Sequence, residues 1–455
     1  MKKFVSLILV LVTVLSIAAC NGDPTPTEGN KPAETPAETP IETPAETPEE
    51  TPEETPAETD PIDEAKLDSP IDLIGIKVVI PAAADRTVNY ASDAFINGFR
   101  MITGISPELS AGAEQEIEIL IGDTGRSESA ALKATLADGE FAVKLVGKKL
   151  VVVASEDGFL YEAVKTLLGF LKIEDNAETG ESKLTLKRSI DVKQAGNKSS
   201  FVYAFSKSDT VSAKETLFTT ITVAASDVRG TQGGTTDGKY LYQAFVKTVG
   251  NETNNEVIIV KYDMETKRTV AMSERLKLNH CNDLMYDFNT NRIIAVHQSI
   301  NPTKLSILDA DTLQYVETIG YMQTFGISHS PERQQFACGV AGGLNIKLQP
   351  DTLKFDPKGI LIYADPAKTD GYTSQGIGCD ENFVYSVLWD GRNKGKPTFQ
   401  NIIAVYDWYG NRVGIIKFNV GVIEPENISS IDGVLYVTFS TSTGAKVFKM
   451  VAEVK

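Results

Sequence analysis

The stretch LNHCNDLMYDFNTNRIIAVH, residues 278–297, holds two of the chain's three histidines together with a cysteine and several carboxylate and amide side chains. His280, Cys281 and Asp283 are of types that ligate metals or act as nucleophile and base. Their spacing argues against one shared ion. Successive side chains on a strand point to opposite faces, so His280 and Cys281 diverge while His280 and Asn282 share a face. His297 lies at the far end of the same segment, and His329 falls in a separate turn-like sequence, SHSPER. FNTNR reads as a hairpin turn and IIAV as a strand. The stretch is thus one strand–turn–strand unit, and no metal is expected in it. Its polar groups matter if equivalent units elsewhere bring partners to the same place.

Such units exist. TQGGTTDGKYLY (231–242) aligns without gaps to SQGIGCDENFVY (374–385), matching Gln232 to Gln375, Gly233 to Gly376, Asp237 to Asp380 and Tyr242 to Tyr385. ENISSIDGVLYV (426–437) and NDLMYDFNTNRIIAV (282–296) are further copies, and FGISHSPERQQFACGV (325–340) is a weaker fifth. Each is followed by a second strand pair: VIIVKYDMETKRTV, KLSILDADTLQYV, GILIYADPA and IIAVYDWYGNRVGIIKF. In these, Asp263, Asp309, Asp365 and Asp407 begin tight turns, where an Asp side chain bonds the backbone two residues on. Four strands per unit, repeated about five times at roughly 40–50-residue spacing, specify a β-propeller over residues 198–455. Segment 201–226 is expected to supply strands that close the ring with the C-terminal VFKMVAEV. Five blades are expected, or six if that segment forms most of another.

Residues 67–195 read differently. IGIKVVIP, IEILIGDT and KLTLKR are strands, and FAVKLVGKKLVVVAS is a hairpin hinged at Gly147. Residues 89–103, SESAALKATL and FLYEAVKTLLGFLKI carry helical spacing. The expectation is a small α+β domain, a sheet with helices on one face. The chain is therefore multidomain: α+β followed by an all-β propeller.

The repeats resemble bacterial surface and periplasmic propellers of the YncE, NHL and quinoprotein-like kind, in which x-x-D-G-x-x-L-Y-V opens a blade. The IGDT turn, the Ser-Glu-Ser helix onset and the hairpin-then-helix order resemble the N-terminal accessory domains of glycoside hydrolases such as hexosaminidases and α-glucuronidases. That second resemblance implies carbohydrate biology and no catalytic residue in the domain.

In a propeller the first strand of each blade lines a central channel. The aligned strand starts are Gln232, Asn282, Ser328, Gln375 and Asn427, with His280, Asp283, Glu424 and Glu426 beside them. One mouth should then gather amides and carboxylates, and Gln232, His280, Asn282, Asp283, Gln375, Glu426 and Asn427 are the candidate ligand-binding residues for a polar ligand such as a sugar or a peptide, or for a cation. The competing reading is that these groups bond backbone N–H groups of neighbouring blades and stabilise the ring. Asp283, Glu424 and Glu426 could supply acid and base for glycoside cleavage or elimination. Most channel positions are amides, poor proton-transfer groups, so binding leads. An extracellular glycosidase or lyase is the alternative, and a structural envelope scaffold is the third. G-x-S-x-G, P-loop and H-E-x-x-H patterns do not occur, and no cofactor is expected.

The chain ends bound location. MKKFVSLILVLVTVLSIAAC, residues 1–20, has a basic start, an apolar run too short to span a bilayer, and small residues before Cys20. Ile17-Ala18-Ala19-Cys20 resembles a bacterial lipobox, which implies that Cys20 is diacylated and anchors the protein to a membrane outside the cytoplasm. An ordinary secretory signal ending before a cysteine is the alternative. Between Pro32 and Pro56 a proline recurs every fourth residue within the 21–66 linker. The segment has no apolar face to bury and favours extended polyproline II. At roughly 3.1 Å per residue, about 35 residues reach on the order of 100 Å. Residues 21–66 carry 14 acidic and 2 basic side chains and the leader two lysines, which leaves about −7 of the total −17 on the rest. No clustered Lys and Arg suggests nucleic acid. Cys281, Cys338 and Cys379 are too few for a disulfide framework and read as buried thiols, although one pair could bridge. A monomer is expected.

Overall fold

The computed structural model describes residues 66–455 apart from positions 111, 172–173, 176–181, 224–229, 248–254, 298–302, 341–343, 355, 443 and 454–455. The signal peptide, Cys20 and all but the last residue of the 21–66 linker lie outside the described residues.

The N-terminal layer is a six-stranded sheet with the spatial order Asp191–Ala195, Glu140–Val146, Lys149–Ala154, Glu118–Ile121, Lys77–Val79, Glu108–Ser110. The middle hairpin reverses at Gly147, whose φ of 60° is costly for any residue with a Cβ. Helix α1 (Arg86–Thr103) starts where the Asp85 carboxylate accepts from Val88 N–H at 3.0 Å. It ends where left-handed Gly104 donates to the Arg100 carbonyl at 2.7 Å. Helices α1 and α3 (Leu160–Phe170) share a core with Val78, Ile119, Ile121, Val143 and Val152. Val79, Leu120, Val151 and Val153 point the other way and pack with Leu132 and Leu136, at and beyond the end of α2 (Ser127–Lys133). The helices thus cover both faces of the sheet, not one: its strands are apolar on both sides and each face needs a cover. Strand Thr185–Arg188 leaves this sheet to pair with Lys66–Asp72.

Three four-stranded sheets and one eight-stranded sheet follow among the described residues; the eight-stranded sheet is two four-stranded blades joined edge to edge, so the whole has the architecture of a five-bladed β-propeller. The innermost strands are Gly230–Thr236, Asp283–Asp287, Thr324–Ser330, Thr373–Cys379 and Pro425–Ile431, and each packs against the next around a closed ring. The last blade takes its outermost strand from the start of the propeller: Thr210–Ile221 runs antiparallel to Gly444–Ala452. The first residues of that strand also pair in parallel with blade 4, Thr210 opposite Ile415. Ring closure by the N-terminal segment therefore occurs as expected, and it covers edges that would otherwise template association. One part of the segment differs: Phe201–Lys207 is a helix, α4, capped by Ser200 through Tyr203 N–H.

Asp263, Asp309 and Asp407 cap turns through backbone N–H groups of Thr266, Thr312 and Asn411, as their sequence context predicts. Asp365 does not. In blade 3 the third strand is Ile346–Pro350, followed by Asp351, and GILIYADPA contributes only the short outer strand Leu361–Ile362. Asp365 instead precedes a helical turn and pairs with Arg412.

The two layers belong to one compact unit, Asp63–Lys455. One apolar cluster runs from the sheet through α1, α3 and α4 into blades 4 and 5. At its centre Phe383 meets Tyr161 (6.2 Å between ring centroids) and, edge-on, Phe205 (5.8 Å).

Candidate functional site

At the mouth formed by the starts of the innermost strands, two pairs of the sequence-predicted polar residues bond to one another. Gln232 Nε2 donates to Glu426 Oε2 at 3.2 Å, joining blades 1 and 5. Gln375 Nε2 donates to Glu424 Oε1 at 2.6 Å, joining blades 4 and 5. Burial, and then the neighbouring Glu424, push the Glu426 carboxyl well above the usual carboxylate range. Asn427 is buried against Gly376, where an added Cβ would lie 2.6 Å from the Asn427 Cα. Gly233 is equally constrained: a Cβ there would lie 2.4 Å from the Asp283 backbone. The glycines aligned in the repeat are there because innermost strands approach this closely.

Asp283 is not at the mouth but fully buried. Its Oδ2 accepts from Ile327 N–H (3.3 Å) and Ile377 N–H (3.2 Å), and its Oδ1 from Leu284 N–H (3.0 Å). One carboxyl thus ties blades 2, 3 and 4 at the axis, and burial raises its pKa well above the ordinary value. As a catalytic or ligand-contacting group it has no access to solvent; its place is the structural one. Asn282 and His280 are half-buried and sit before the strand rather than in it. Asn279 and Cys281 have φ of 54° and 49°. Face alternation therefore does not govern residues 279–282, because a turn precedes the strand. Cys281 is fully buried and unpaired, as are Cys338 and Cys379. Ser328 lies within its strand, not at its start, and accepts from Cys379 Sγ at 3.2 Å. His297 is buried, with Nε2 2.7 Å from Ser306 Oγ, and burial pushes it down to about 4. Among the described residues no group of three His, Cys, Asp or Glu side chains could hold a metal ion.

The opposite mouth carries the open space. Where the innermost strands end, a cavity of about 830 Å³ lies between the propeller and the α+β layer. Thr236, Asp237, Ser330, Asp380, Ile431 and Asp432 form its propeller side, and Glu162 and Lys165 of α3 form part of its cover. The repeat built this mouth. Asp237 Oδ1 accepts from Lys239 and Tyr240 N–H (2.8 and 2.6 Å) and its Oδ2 from the Tyr242 hydroxyl (2.9 Å). Asp380 repeats the cage with Asn382 and Phe383 N–H (2.8 Å each) and the Tyr385 hydroxyl (2.7 Å), and adds Ser430 Oγ (2.9 Å). Lys165 Nζ lies 2.7 Å from Glu381, yet burial lowers its pKa. Burial likewise raises Glu162, against the hydrogen bond that Ser200 Oγ donates to it at 3.2 Å. His329 Nδ1 accepts from Phe288 N–H at 3.1 Å, which leaves the proton of the neutral ring on Nε2.

Six carboxyl groups line this cavity (Glu162, Asp237, Glu332, Asp380, Glu381, Asp432) against one lysine, Lys165. A concave site lined by one sign of charge concentrates ligands of the other sign. Glu162, Lys165, Asp380 and Tyr385 were not among the candidate site residues expected from sequence, although Asp380 and Tyr385 stood out as repeat positions. The Asp–Tyr correspondence between the repeats was the signal that could have found two of them; the direction of the strands relative to the α+β layer was not readable.

No protein-family model and no curated protein matches this chain. Among solved structures it is similar to a glutaminyl cyclase from Myxococcus xanthus, at 13% identity and a TM-score of 0.38, covering 54% of this chain and 99% of that one. It is similar to a luciferin-regenerating enzyme at 11% identity and a TM-score of 0.34, covering 53% and 97%. It is also similar to the β-propeller domain of Myceliophteria thermophila Cps50 (Swd1), at 12% identity and a TM-score of 0.27, covering 49% and 68%. Likeness at this level says nothing of chemistry, and the propeller stands here on its strand topology.

Proposed function

We propose that this protein is a lipid-anchored, extracytoplasmic binder, and that its ligand is a hydroxyl-rich molecule bearing a cationic amine, an amino-group-bearing carbohydrate. The observation that carries this reading is the cavity of about 830 Å³ at the covered mouth, with its six carboxyl groups and one lysine. Hydroxyl groups pair with carboxylates as donors, and an ammonium group adds a charge-assisted bond. Display through Cys20 and the Pro/Glu/Thr spacer would place this cavity clear of the membrane.

Glycan arrays followed by calorimetry with glucosamine oligosaccharides test the reading. Binding should weaken as salt rises, and Glu162→Gln and Asp432→Asn should each lower affinity about tenfold, the equivalent of about 1.4 kcal/mol. Binding indifferent to both substitutions, or retention of a peptide amine in place of any glycan, would sink it. The raised Glu162 carboxyl also favours a second reading, a general acid in glycoside cleavage. An enzyme would lose turnover on Glu162→Gln while still holding its substrate. For the anchor, Cys20→Ser should move the protein almost wholly from the detergent phase to the aqueous phase on detergent partition. No change in partition would argue against lipidation.

A further inference from the structure

We propose a second ligand site, for the carboxylate of a small molecule, in a separate cleft of about 680 Å³ between α1 and the turn that follows the third strand of blade 4. Arg86, Tyr90, Asp93 and Arg100 of α1 line one side, and Asp407 and Arg412 the other. The cleft is electrically mixed, but most of its charges are engaged. Lys368 pairs with Asp209 at 2.6 Å. Asp407 accepts from Tyr409 N–H, Asn411 N–H and Asn411 Nδ2 at 2.8–2.9 Å. Arg86 donates to the Phe205 carbonyl at 3.3 Å, and Arg100 to Asn97 Oδ1 at 3.1 Å.

Arg412 differs. Its Nη1 pairs with Asp365, which orients the guanidinium. Its Nε and Nη2 are buried and have no hydrogen-bond partner among the described residues. Those two atoms form one edge of the fork, the edge that takes both oxygens of a carboxylate side-on. Leaving such donors buried and unpaired is costly, more so where charge is involved. The Tyr90 hydroxyl, lining the same cleft, is also buried without a partner among the described residues. Its ring is held by stacking on Tyr161, with centroids 4.8 Å apart and planes 19° apart. Burial suppresses its ionisation, so it remains an O–H donor. The Arg412 fork edge matches a planar monoanion, and the Tyr90 hydroxyl is a further donor from a side chain that lines the same cleft. The carboxylates Asp93, Asp209, Asp365 and Asp407 around them disfavour a dianion such as sulfate or phosphate.

Calorimetry on the intact protein tests this with glucuronate, an N-acetyl amino acid and inorganic sulfate as separate probes, each up to about 10 mM. Arg412→Lys keeps the charge and removes the fork, and should weaken carboxylate binding at least about tenfold. Tyr90→Phe should weaken it about threefold with the fold intact, and serves if the arginine variant does not fold. Binding of glucuronate assigns a uronic-acid ligand; binding of the N-acetyl amino acid alone assigns a peptide C-terminus; both support the site. Sulfate binding as tightly as either carboxylate, no carboxylate binding at all, or equal affinity in both variants would overturn it.

Discussion

Replacing Asp283 with alanine should cost about 3–5 kcal/mol of folding stability, the loss expected when a buried, multiply bonded group is removed. The carboxyl is the common acceptor for Ile327, Ile377 and Leu284 N–H. Strand Asp283–Asp287 would lose its tie to both later blades. Denaturant unfolding followed by circular dichroism measures the change, and a shift under about 1 kcal/mol would refute the role. Asp283→Asn should be milder, because its one oxygen can still serve the Ile327 and Ile377 amides while only Leu284 N–H is left. The two chains should also differ in pH dependence. Burial raises the Asp283 pKa in the folded state above its unfolded value. The folded chain then holds this proton to higher pH than the unfolded chain. The associated stabilisation is complete below the unfolded value of about 3.9 and is lost as pH rises through the folded pKa. Asp283→Asn has no such titration, so its deficit against the wild type should shrink as pH rises above about 4. A deficit constant across that range would mean that Asp283 does not titrate there.

Phe383→Ala should be of similar size, about 3–5 kcal/mol, since it empties a fully buried aromatic site. The ring stands where α3, α4 and blade 4 meet, between Tyr161, Phe205 and Tyr385. Its removal should loosen the seam before it loosens the blades. Hydrogen exchange should show protection falling in α3 and α4 first, with the strands of blades 1 to 3 retained. Uniform loss of protection would instead place Phe383 in a core that unfolds as one. The loss also bears on the cavity at the covered mouth, because α3 carries Glu162 and Lys165 into it.

Much of the fold was legible because its causes are local. The gapless match of 231–242 to 374–385 reappears as two like cages, Asp237 with Tyr242 and Asp380 with Tyr385, the second with Ser430 Oγ added. Asp263, Asp309 and Asp407 cap their own backbone within four residues, a distance sequence can span. Where sequence reasoning missed, contacts between remote segments decided. The 201–207 stretch reads as strand because it is rich in Phe, Val and Tyr; it is helical, with Phe201 and Phe205 turned into the shared core. SESAALK reads as one more helix over one face, but only the two-sided apolar strands of the assembled sheet show that it covers the other.

The candidate site divides the same way. By itself the sequence determined the secondary structure of most elements, the four-strand unit, its repetition and the set of polar groups that the innermost strands carry, since these follow from periodicity and turn chemistry within about fifty residues. The tertiary structure alone decided what those groups do. Gln232 finds Glu426 across 194 residues and Asp283 finds Ile377 across 94, so these groups bond each other or the backbone across the ring. It also decided that the α+β layer covers the strand ends, setting the open space there, because that choice rests on an apolar seam between segments more than two hundred residues apart.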